Sequence, residues 1–474
     1  MPRPNWPCAH SNKPDWRFSP NFGLRLSWSR AASTAEIATA PVSDIPTVAS
    51  CLTVPLAGLP ADFRARALRW AAGFAHCAFF EPNDLSYPQG PFERLLAVAA
   101  YADNAPRTLA DLQPWLRQGG AAPHCGFVTY DIKNEIEELS SDNYTGFGWP
   151  RLHFFRAETW LRWRGDQLEI HGITAGVLAT ILAIEQPSSA APRVPGLRPR
   201  LPRADYLLAV EAVREDILNG EVYELNLCQE FYAEDVALDP VDIFERLNAA
   251  SPAPFAGFLR WHDHYLLCAS PERFVARRGS QIISQPIKGT VRRGTTPEED
   301  EKQRETLLHD EKERAENLMI VDLVRNDLAR VARTGTVEVP ELFGLYSFRH
   351  VWQMISTVTA ELRPGTDLTT VLRAAFPMGS MTGAPKIRAM QLIEHYERSL
   401  RGLYSGSLGV VWPGGDFDFN VVIRSLQYRA DTGYLSFQVG SAITYDSVPE
   451  REYQECLLKA KAILEVLATS INEQ

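Results

Sequence analysis

No apolar run in the 474 residues approaches the roughly 20 that a membrane helix needs; the most tempting stretch, residues 176–184, is far too short. No Cys-x-x-Cys occurs among the seven cysteines, and their odd count does not suit a disulfide framework, so neither a zinc knuckle nor a cross-linked secreted scaffold is expected. A reducing, cytoplasmic setting fits instead. None of these cysteines stands in the Gly-x-Cys-x-Gly elbow of a glutamine amidotransferase. The chain is therefore not expected to release ammonia from glutamine itself. The ten histidines include no His-Glu-x-x-His. His262-Asp263-His264 could set two imidazoles on one strand face, but it reads more simply as a hairpin tip. A phosphate-binding G-x-x-x-x-G-K-[ST] loop is missing too.

Excess positive charge is also lacking. The net charge is −10 and the pI about 5.6, which excludes a general nucleic-acid or anionic-membrane binder. An anionic substrate would need a local basic cluster or a metal. Acid is absent from residues 16–35, which hold three arginines and four serines. That composition is like a transit peptide; the alternative reading, adopted for residues 1–44, is an unstructured extension.

What remains has the 45% hydrophobic and 22% charged make-up of a protein with a sizeable core. Residues 45–185 read as one part, residues 204–474 as another. The proline-rich stretch 186–203 reads as an exposed connector between them. In the first part, helices are expected over 62–74 and 92–101, and strands over 125–130, 153–164 and 168–173. In the second, Asp205 should cap a helix that Gly220 ends. A strand over 221–231 should put Glu224, Asn226 and Cys228 on one face. Successive strands follow over 259–290, then a long helix over 306–333 and a strand over 351–362. A loop from Gly379 enters a helix with Pro385 in its first turn, and its hydroxyls and free amides could hold a carboxylate. A meander over 408–444, with Arg424 inside an apolar strand, precedes a last helix over 449–467.

Chemistry concentrates at a few places. Lys288 sits at a bend in Gln-Pro-Ile-Lys-Gly-Thr, residues 285–290. It reads either as a surface lysine before a turn or as a crowded amine whose lowered pKa frees it to attack carbon. Glu272 precedes it by sixteen residues, and adjacent antiparallel strands could bring its carboxyl near the amine. Glu313 and Glu316 lie three apart on one helix, so they share a face. Glu452, Glu455 and Lys459 form a stripe on another, where an ordinary wet Glu455–Lys459 pair is the simpler reading. Carboxylates from two helices, with waters, suit Mg²⁺. Arg424 among apolar residues needs an anionic partner, from the protein or from a ligand.

Taken in order, Ser-Pro-Glu-Arg-Phe (270–274), Pro-Ile-Lys-Gly-Thr (286–290), Glu-Asn-Leu-Met-Ile-Val-Asp-Leu-Val-Arg-Asn-Asp (316–327), Thr-Gly-Ala-Pro-Lys (382–386), Tyr-Ser-Gly-Ser-Leu-Gly (404–409), Ile-Arg-Ser (423–425) and Asp-Ser-Val-Pro-Glu-Arg-Glu-Tyr-Gln-Glu (446–455) resemble the chorismate-utilising enzymes. The resemblance runs from about Gly126 to the C-terminus. It implies an α+β fold of two orthogonally packed antiparallel β-sheets flanked by helices. It implies that Glu316 and Glu455 hold Mg²⁺ against the ring carboxylate of chorismate, with Glu313 and Glu452 close behind. Tyr404, Arg424 and the Gly440 backbone would take the enolpyruvyl carboxylate. Gly289, Thr290, Ser380 and Lys459 would line the same pocket, and Glu272 would be general acid and base at the departing hydroxyl.

Within that family, a lysine at position 288 marks the branch of aminodeoxychorismate synthase component I; anthranilate synthase component I carries alanine there. The resemblance implies attack of the amine on ring C2 as the C4 hydroxyl leaves, then entry of ammonia at C4. The ammonia would come from a separate glutaminase subunit. With no stretch recognisable as a fused lyase, the expected product is 4-amino-4-deoxychorismate. An anthranilate synthase and a non-catalytic chorismate-binding subunit are the alternatives. The retained Lys288, Glu272 and four acids speak against the binder. Two positions depart from the family pattern. Glu224 stands where water-adding relatives have lysine and amine-adding ones glutamine, and its partner is open. Gln353 stands where many relatives have histidine.

Overall fold

In the computed structural model the described residues are 50–102, 104–118, 120–185 and 192–472. The 1–44 extension and the first part of the proline-rich connector lie outside them. Every strand pairing named below is antiparallel. One sheet runs in the order Ser50–Pro55, Gln167–Gly172, Thr159–Arg164, Leu95–Ala99, His76–Glu81, Phe255–Trp261, His264–Ser270, Ser425–Arg429, Tyr434–Ile443, Glu224–Ala233 and Gly383–Ala384. The short Arg198–Pro199 strand adds to the Glu224–Ala233 strand. The other sheet runs Ile287–Arg292, Val351–Glu361, Gln281–Gln285, Arg273–Arg278, Phe417–Asn420, Ser407–Val411, His124–Val128 and Leu152–Arg156. Glu338–Ser347 lies against its Val351–Glu361 strand. Strands from before and after the connector thus share both sheets.

Period-two alternation sorts the side chains into layers. Phe80, Leu95, Leu266 and Cys268 of the first sheet meet Phe127, Phe155, Ile355 and Leu408 of the second in a shared core. Cys77, Phe79, Leu96 and Val98 face the other way, into a core with the helices Phe63–Ala71, Arg203–Leu218, Pro240–Ala250 and Pro449–Leu467. The second sheet is covered on its far side by the helices Glu311–Ala329 and Leu368–Ala375. The result is the α+β arrangement of two packed antiparallel sheets between helices that the sequence implied.

Several local expectations are corrected. The stretch expected as a helix over 92–101 is the strand Leu95–Ala99, buried along its whole length; five apolar residues in a row carry no period that separates a strand from a helix. The single strand expected over 153–164 is two, and they belong to different sheets. The long helix expected over 306–333 begins earlier, at Pro297, and breaks at Asp310. That residue is extended and caps the next helix by accepting from the Glu313 amide. Asp205 lies in the first turn of its helix, whose N-cap is Pro202. Pro385 is an N-cap, not a first-turn residue. Arg424 is not in a strand: it has φ 49° in the segment 421–424, where the meander leaves one sheet for the other. The connector is exposed only in part, since Leu197 and Leu201 are buried.

One buried cation knits the region behind the site. Arg401 and Glu397 form an ion pair with both side chains almost wholly out of solvent. Arg401 also donates to the carbonyls of Met381 (2.6 Å) and Asn226 (2.8 Å), and its guanidinium lies 4.5 Å from the Tyr130 ring centroid. Glu397 accepts the Cys228 amide at 2.9 Å. Removing one member of such a pair strands the other charge. Arg401→Ala is expected to cost about 3–5 kcal/mol of unfolding free energy. Urea denaturation checks this, and a loss below about 1 kcal/mol would deny the cation its structural role.

Candidate active site

Two sheet-to-sheet crossings meet beside a bulge, and this positions the candidate residues. The chain leaves the first sheet after Ser270 and joins the second at Arg273, with Glu272 at the crossing. It returns through 421–424, and the Val421 amide donates to the Glu272 carbonyl at 3.0 Å. Glu272 and Arg424 are thereby held at the seam. The strand Ile287–Arg292 pairs with Val351–Glu361, but its register shifts between Ile287 and Thr290. Such a bulge re-aims a side chain out of the regular alternation, here that of Lys288. Gly289 takes φ 100° within it, a conformation that suits glycine. A side chain at Gly289 would lie 3.4 Å from the Glu313 carboxylate, which places the bulge beside the acidic helix.

Lys288 and Glu272 enter one buried electrostatic environment. Burial raises the Glu272 carboxyl to about 7, against the Ser380 hydrogen bond and the charges of Lys288 and Arg424. The Ser380 hydroxyl donates to Glu272 Oε1 at 2.8 Å. A carboxyl poised near neutrality can both give and take a proton. Burial works on Lys288 in the opposite direction from its neighbours: it would lower the amine, but Glu224, Glu316 and Glu455 outweigh it and the net shift is upward. Nζ donates to Glu224 Oε1 at 2.7 Å, with the two side chains 13% and 1% exposed. The expectation of a low-pKa, uncharged amine is therefore corrected: acids outnumber the burial effect. The open partner of Glu224 is identified as Lys288, inside the protein and not at its outer surface.

Of the four acids expected from the two helices, Glu313, Glu316 and Glu455 feel one another's charge, though not as a closed cage. Burial, then Glu316 and Asp310, push the Glu313 carboxyl to about 7. Glu316 is raised as well, first by burial, with Lys288 and Lys312 opposing. Burial would raise Glu455 too, but Lys459 and the lysines at 288 and 312 hold it below its ordinary value. Glu452 is buried. Lys312 lies 3.6 Å from Glu316, and Lys459 2.8 Å from Glu455. Among the described residues, no three acids, histidines or cysteines form a group ready to hold a metal. Mg²⁺ asks less, since one or two carboxylates suffice when water and substrate complete its shell. Glu313 and Glu316, raised first by burial and then by neighbouring carboxylates, are donors whose charge a divalent cation would offset, so these residues fit such an ion.

The remaining expected residues divide. Tyr404 is buried and bonded to Cys228. Lys459 donates to the Gly440 carbonyl at 2.7 Å, and a side chain at Gly440 would strike Cys228 Sγ at 2.5 Å. Arg424 makes no hydrogen bond or ion pair through its guanidinium among the described residues; burial lowers its pKa, with Glu272 opposing. Thr290 is exposed, paired with Gln353. The Thr382 hydroxyl is spent on the Met378 carbonyl, and that of Ser380 on Glu272. Asn317 was missed by the sequence reading. It donates to the Lys288 and Met354 carbonyls and accepts from Ser356, pinning the bulge. An asparagine one residue after Glu316, on an inward helix face, was its only signal.

Comparison with known proteins places this geometry. Residues 70–465 match the family model described as chorismate binding enzyme. Aminodeoxychorismate synthase component 1 of Bacillus subtilis is 34% identical over 374 residues, 75% of this chain and 78% of that one. The Salmonella typhimurium protein of the same name is 44% identical over 56% of this chain and 58% of its own length. Anthranilate synthase component 1 2 of Haloarcula marismortui is 41% identical over 56% of this chain and 50% of its own. Among solved structures, anthranilate synthase component I from Streptococcus pneumoniae superposes with a TM-score of 0.64 at 26% identity, covering 89% of this chain and 93% of that one. The isochorismate synthase MenF from Escherichia coli, at 18% identity and a TM-score of 0.72, shares the fold.

The Ser380 hydrogen bond favours the ionised form of Glu272, so Ser380→Ala should move its titration midpoint above about 7. Infrared difference titration of the carboxyl band, with Glu272→Gln as the blank, reads this. A midpoint that stays or falls would show that the hydroxyl does not stabilise the carboxylate.

Proposed function

The chain belongs to the chorismate-binding enzyme family, and from that premise we propose that it is the aminating component of an aminodeoxychorismate synthase. It converts chorismate and ammonia to 4-amino-4-deoxychorismate, a step toward 4-aminobenzoate and folate. The observation that carries the reading is one buried lysine on a bulge, in the same charge environment as a carboxyl held near 7. A pure binder requires neither group, and an anthranilate synthase has no use for the amine.

In this reading the Lys288 amine, once free of its extra proton, forms a bond to ring C2. Both ring double bonds shift one place toward C4, and the C4–O bond breaks as Glu272 protonates the departing hydroxyl. Ammonia then bonds to C4, both double bonds return and the C2–N bond breaks. Glu272 accepts the surplus proton of the new amine. Chorismate and ammonia become the aminated product and one water, and the lysine is restored. Arg424, with its guanidinium uncommitted, Tyr404 and the Gly440 backbone take the enolpyruvyl carboxylate. Ser380, Gly289, Thr290 and Lys459 line the pocket. Glu316 and Glu455 would hold Mg²⁺ at the ring carboxylate, with Glu313 and Glu452 behind. When bound, the ion supplies Lewis-acid polarisation.

The relatives' designation as a component 1 supports a partner subunit, which we assign as a glutaminase that supplies the ammonia. A reducing, cytoplasmic setting belongs to the same proposal. Its support is the free state of Cys51, Cys77, Cys125, Cys228, Cys268 and Cys456. Among the described residues no helix is long and apolar enough to cross a membrane.

Incubation with chorismate, Mg²⁺ and ammonium, followed by product identification, tests the reading. Formation of 4-amino-4-deoxychorismate is expected; anthranilate would favour the anthranilate synthase, and no turnover a binding subunit. Lys288→Ala should lower C4 amination by at least roughly tenfold and open a path to anthranilate, and an unchanged rate would remove the lysine from the mechanism. Glu455→Gln should raise the Mg²⁺ needed for half-maximal rate by roughly tenfold or more with little change in Tm. A variant that melts early yet keeps its rate per folded molecule would count against the metal assignment.

A further inference from the structure

We propose that Asn317 is the positioning residue for Lys288: its amide, oriented by Ser356, fixes the backbone from which the amine reaches the ring. The inference rests on the reading of Lys288 as a nucleophile, and it adds a residue that acts only through the bulge. The need for one follows from the strand that carries the lysine. Ile287–Arg292 is the last strand of its sheet and pairs with Val351–Glu361 alone. Its register breaks between Ile287 and Thr290, so Lys288 and Gly289 lie outside the paired ladder. A bulged edge gives up the hydrogen bonds that hold a strand in place. The flexible four-carbon stem of a lysine adds further freedom.

Asn317 supplies an anchor where the ladder gives none. Its Nδ2 donates to the Lys288 carbonyl at 3.1 Å and, more weakly, to the Met354 carbonyl of the facing strand at 3.4 Å. The amide has one workable orientation. The Phe343 amide donates to Ser356 Oγ at 3.1 Å, and that hydroxyl donates its own proton to Asn317 Oδ1 at 2.6 Å. A flipped side chain would set its oxygen against two carbonyl oxygens with no proton between them. The Ser356 amide in turn donates to the Pro286 carbonyl at 3.2 Å, just before the bulge. Asn317 and Ser356 are 1% and 0% exposed, so water does not compete for these bonds.

Packing closes in on Gly289. Leu307 is the one buried residue of the helix Pro297–His309. Its Cδ1 would lie 3.3 Å from a side chain at Gly289, and Met354 Cβ 3.1 Å. Such contacts resist compression but set no direction; hydrogen bonds do. The far end of the lysine is held differently. Nζ rests on Glu224 at 2.7 Å, and it must leave that contact to bond to carbon. From then on the reach of the amine is set from its backbone end. A reacting group displaced by about 1 Å can lose roughly 10²-fold in rate. A bond that fixes the Lys288 carbonyl therefore bears on kcat more than on chorismate binding.

In Asn317→Ala the kcat for 4-amino-4-deoxychorismate should fall by roughly 10²-fold, with KM for chorismate within about threefold of the parent. The Mg²⁺ needed for half-maximal rate should also stay within about threefold, which separates the effect from a disturbance of neighbouring Glu316. Ser356→Ala leaves the amide in place but frees it to turn. Its kcat should fall by about tenfold, with no further loss where Asn317→Ala is already present. An Asn317→Ala variant that keeps its kcat per folded molecule, or loses only in KM or Mg²⁺ dependence, overturns the proposal. So does a Ser356→Ala loss that adds in full to that of Asn317→Ala. A second arm needs no turnover. Amide hydrogen exchange across residues 285–293 should quicken by about tenfold or more in either variant, while residues 273–278 keep the parent's rate. Unchanged exchange at the bulge overturns the proposal. If Asn317→Ala does not fold, Ser356→Ala carries both arms. If the parent makes anthranilate, the reading of Lys288 as a nucleophile fails on its own account, while the exchange arm still decides whether Asn317 holds the bulge.

Discussion

The position of the candidate site depends on a seam that the backbone hydrogen bond from the Val421 amide to the Glu272 carbonyl closes. It clasps two segments that cross between the sheets in opposite directions. A strand that changes sheets must leave its ladder, and the residues at the change are freed from regular pairing. Glu272 and Arg424 occupy those positions. Their side chains are therefore set by the seam between two rigid layers, not by a flexible loop. Ser270, whose hydroxyl donates to the Val421 carbonyl at 2.5 Å, closes the same seam from the other side. The Ser-Pro-Glu-Arg-Phe motif thus combines framework and chemistry. Its arginine, Arg273, is buried against Asp418 and Gln285, while its glutamate accepts from Ser380.

The pocket gathers more acid than base. Glu224, Glu272, Glu313, Glu316, Glu452 and Glu455 stand against Lys288, Lys312, Lys459 and Arg424. This imbalance does different things at different atoms. Where a carboxyl is desolvated and only weakly paired, as at Glu272 and Glu313, it is pushed to about 7. Where a lysine touches it, as at Glu455, it stays ionised. Two chemically identical side chains can then have separate duties, one as a proton donor and another as a ligand, by environment alone.

Much of this was legible in the sequence. Alternation found the strands expected over 259–290 and the meander expected over 408–444, and the last helix lies at Pro449–Leu467, where it was expected. The failures share a cause: the deciding contact is remote in the chain. Leu95–Ala99 is a strand because it has a partner on each side, at His76–Glu81 and Thr159–Arg164. Glu397 and Arg401 drew no reading from the sequence, and only the Cys228 amide and the Met381 and Asn226 carbonyls show them to be a buried pair. The pKa of Lys288 was misjudged in sign for the same reason. Crowding was inferred from the turn, but the three carboxylates that outweigh it come from three other elements. A sharper signal was present at Glu224, since an acid on a strand expected to pack inward requires a cation, and a lysine of uncertain role was the natural candidate.

The carboxylates around Lys288 are not equivalent. Glu224 touches the amine, while Glu316 and Glu455 act on it through space. A cation shared by those two would cancel their pull and leave the Glu224 contact as the main force on the proton. The Lys288 proton then lies between two atoms 2.7 Å apart in a partly buried contact, where the ionic pair is less favoured over a neutral one than it is in water. The direct contact, and not the number of acids nearby, then decides how tightly Lys288 keeps its proton.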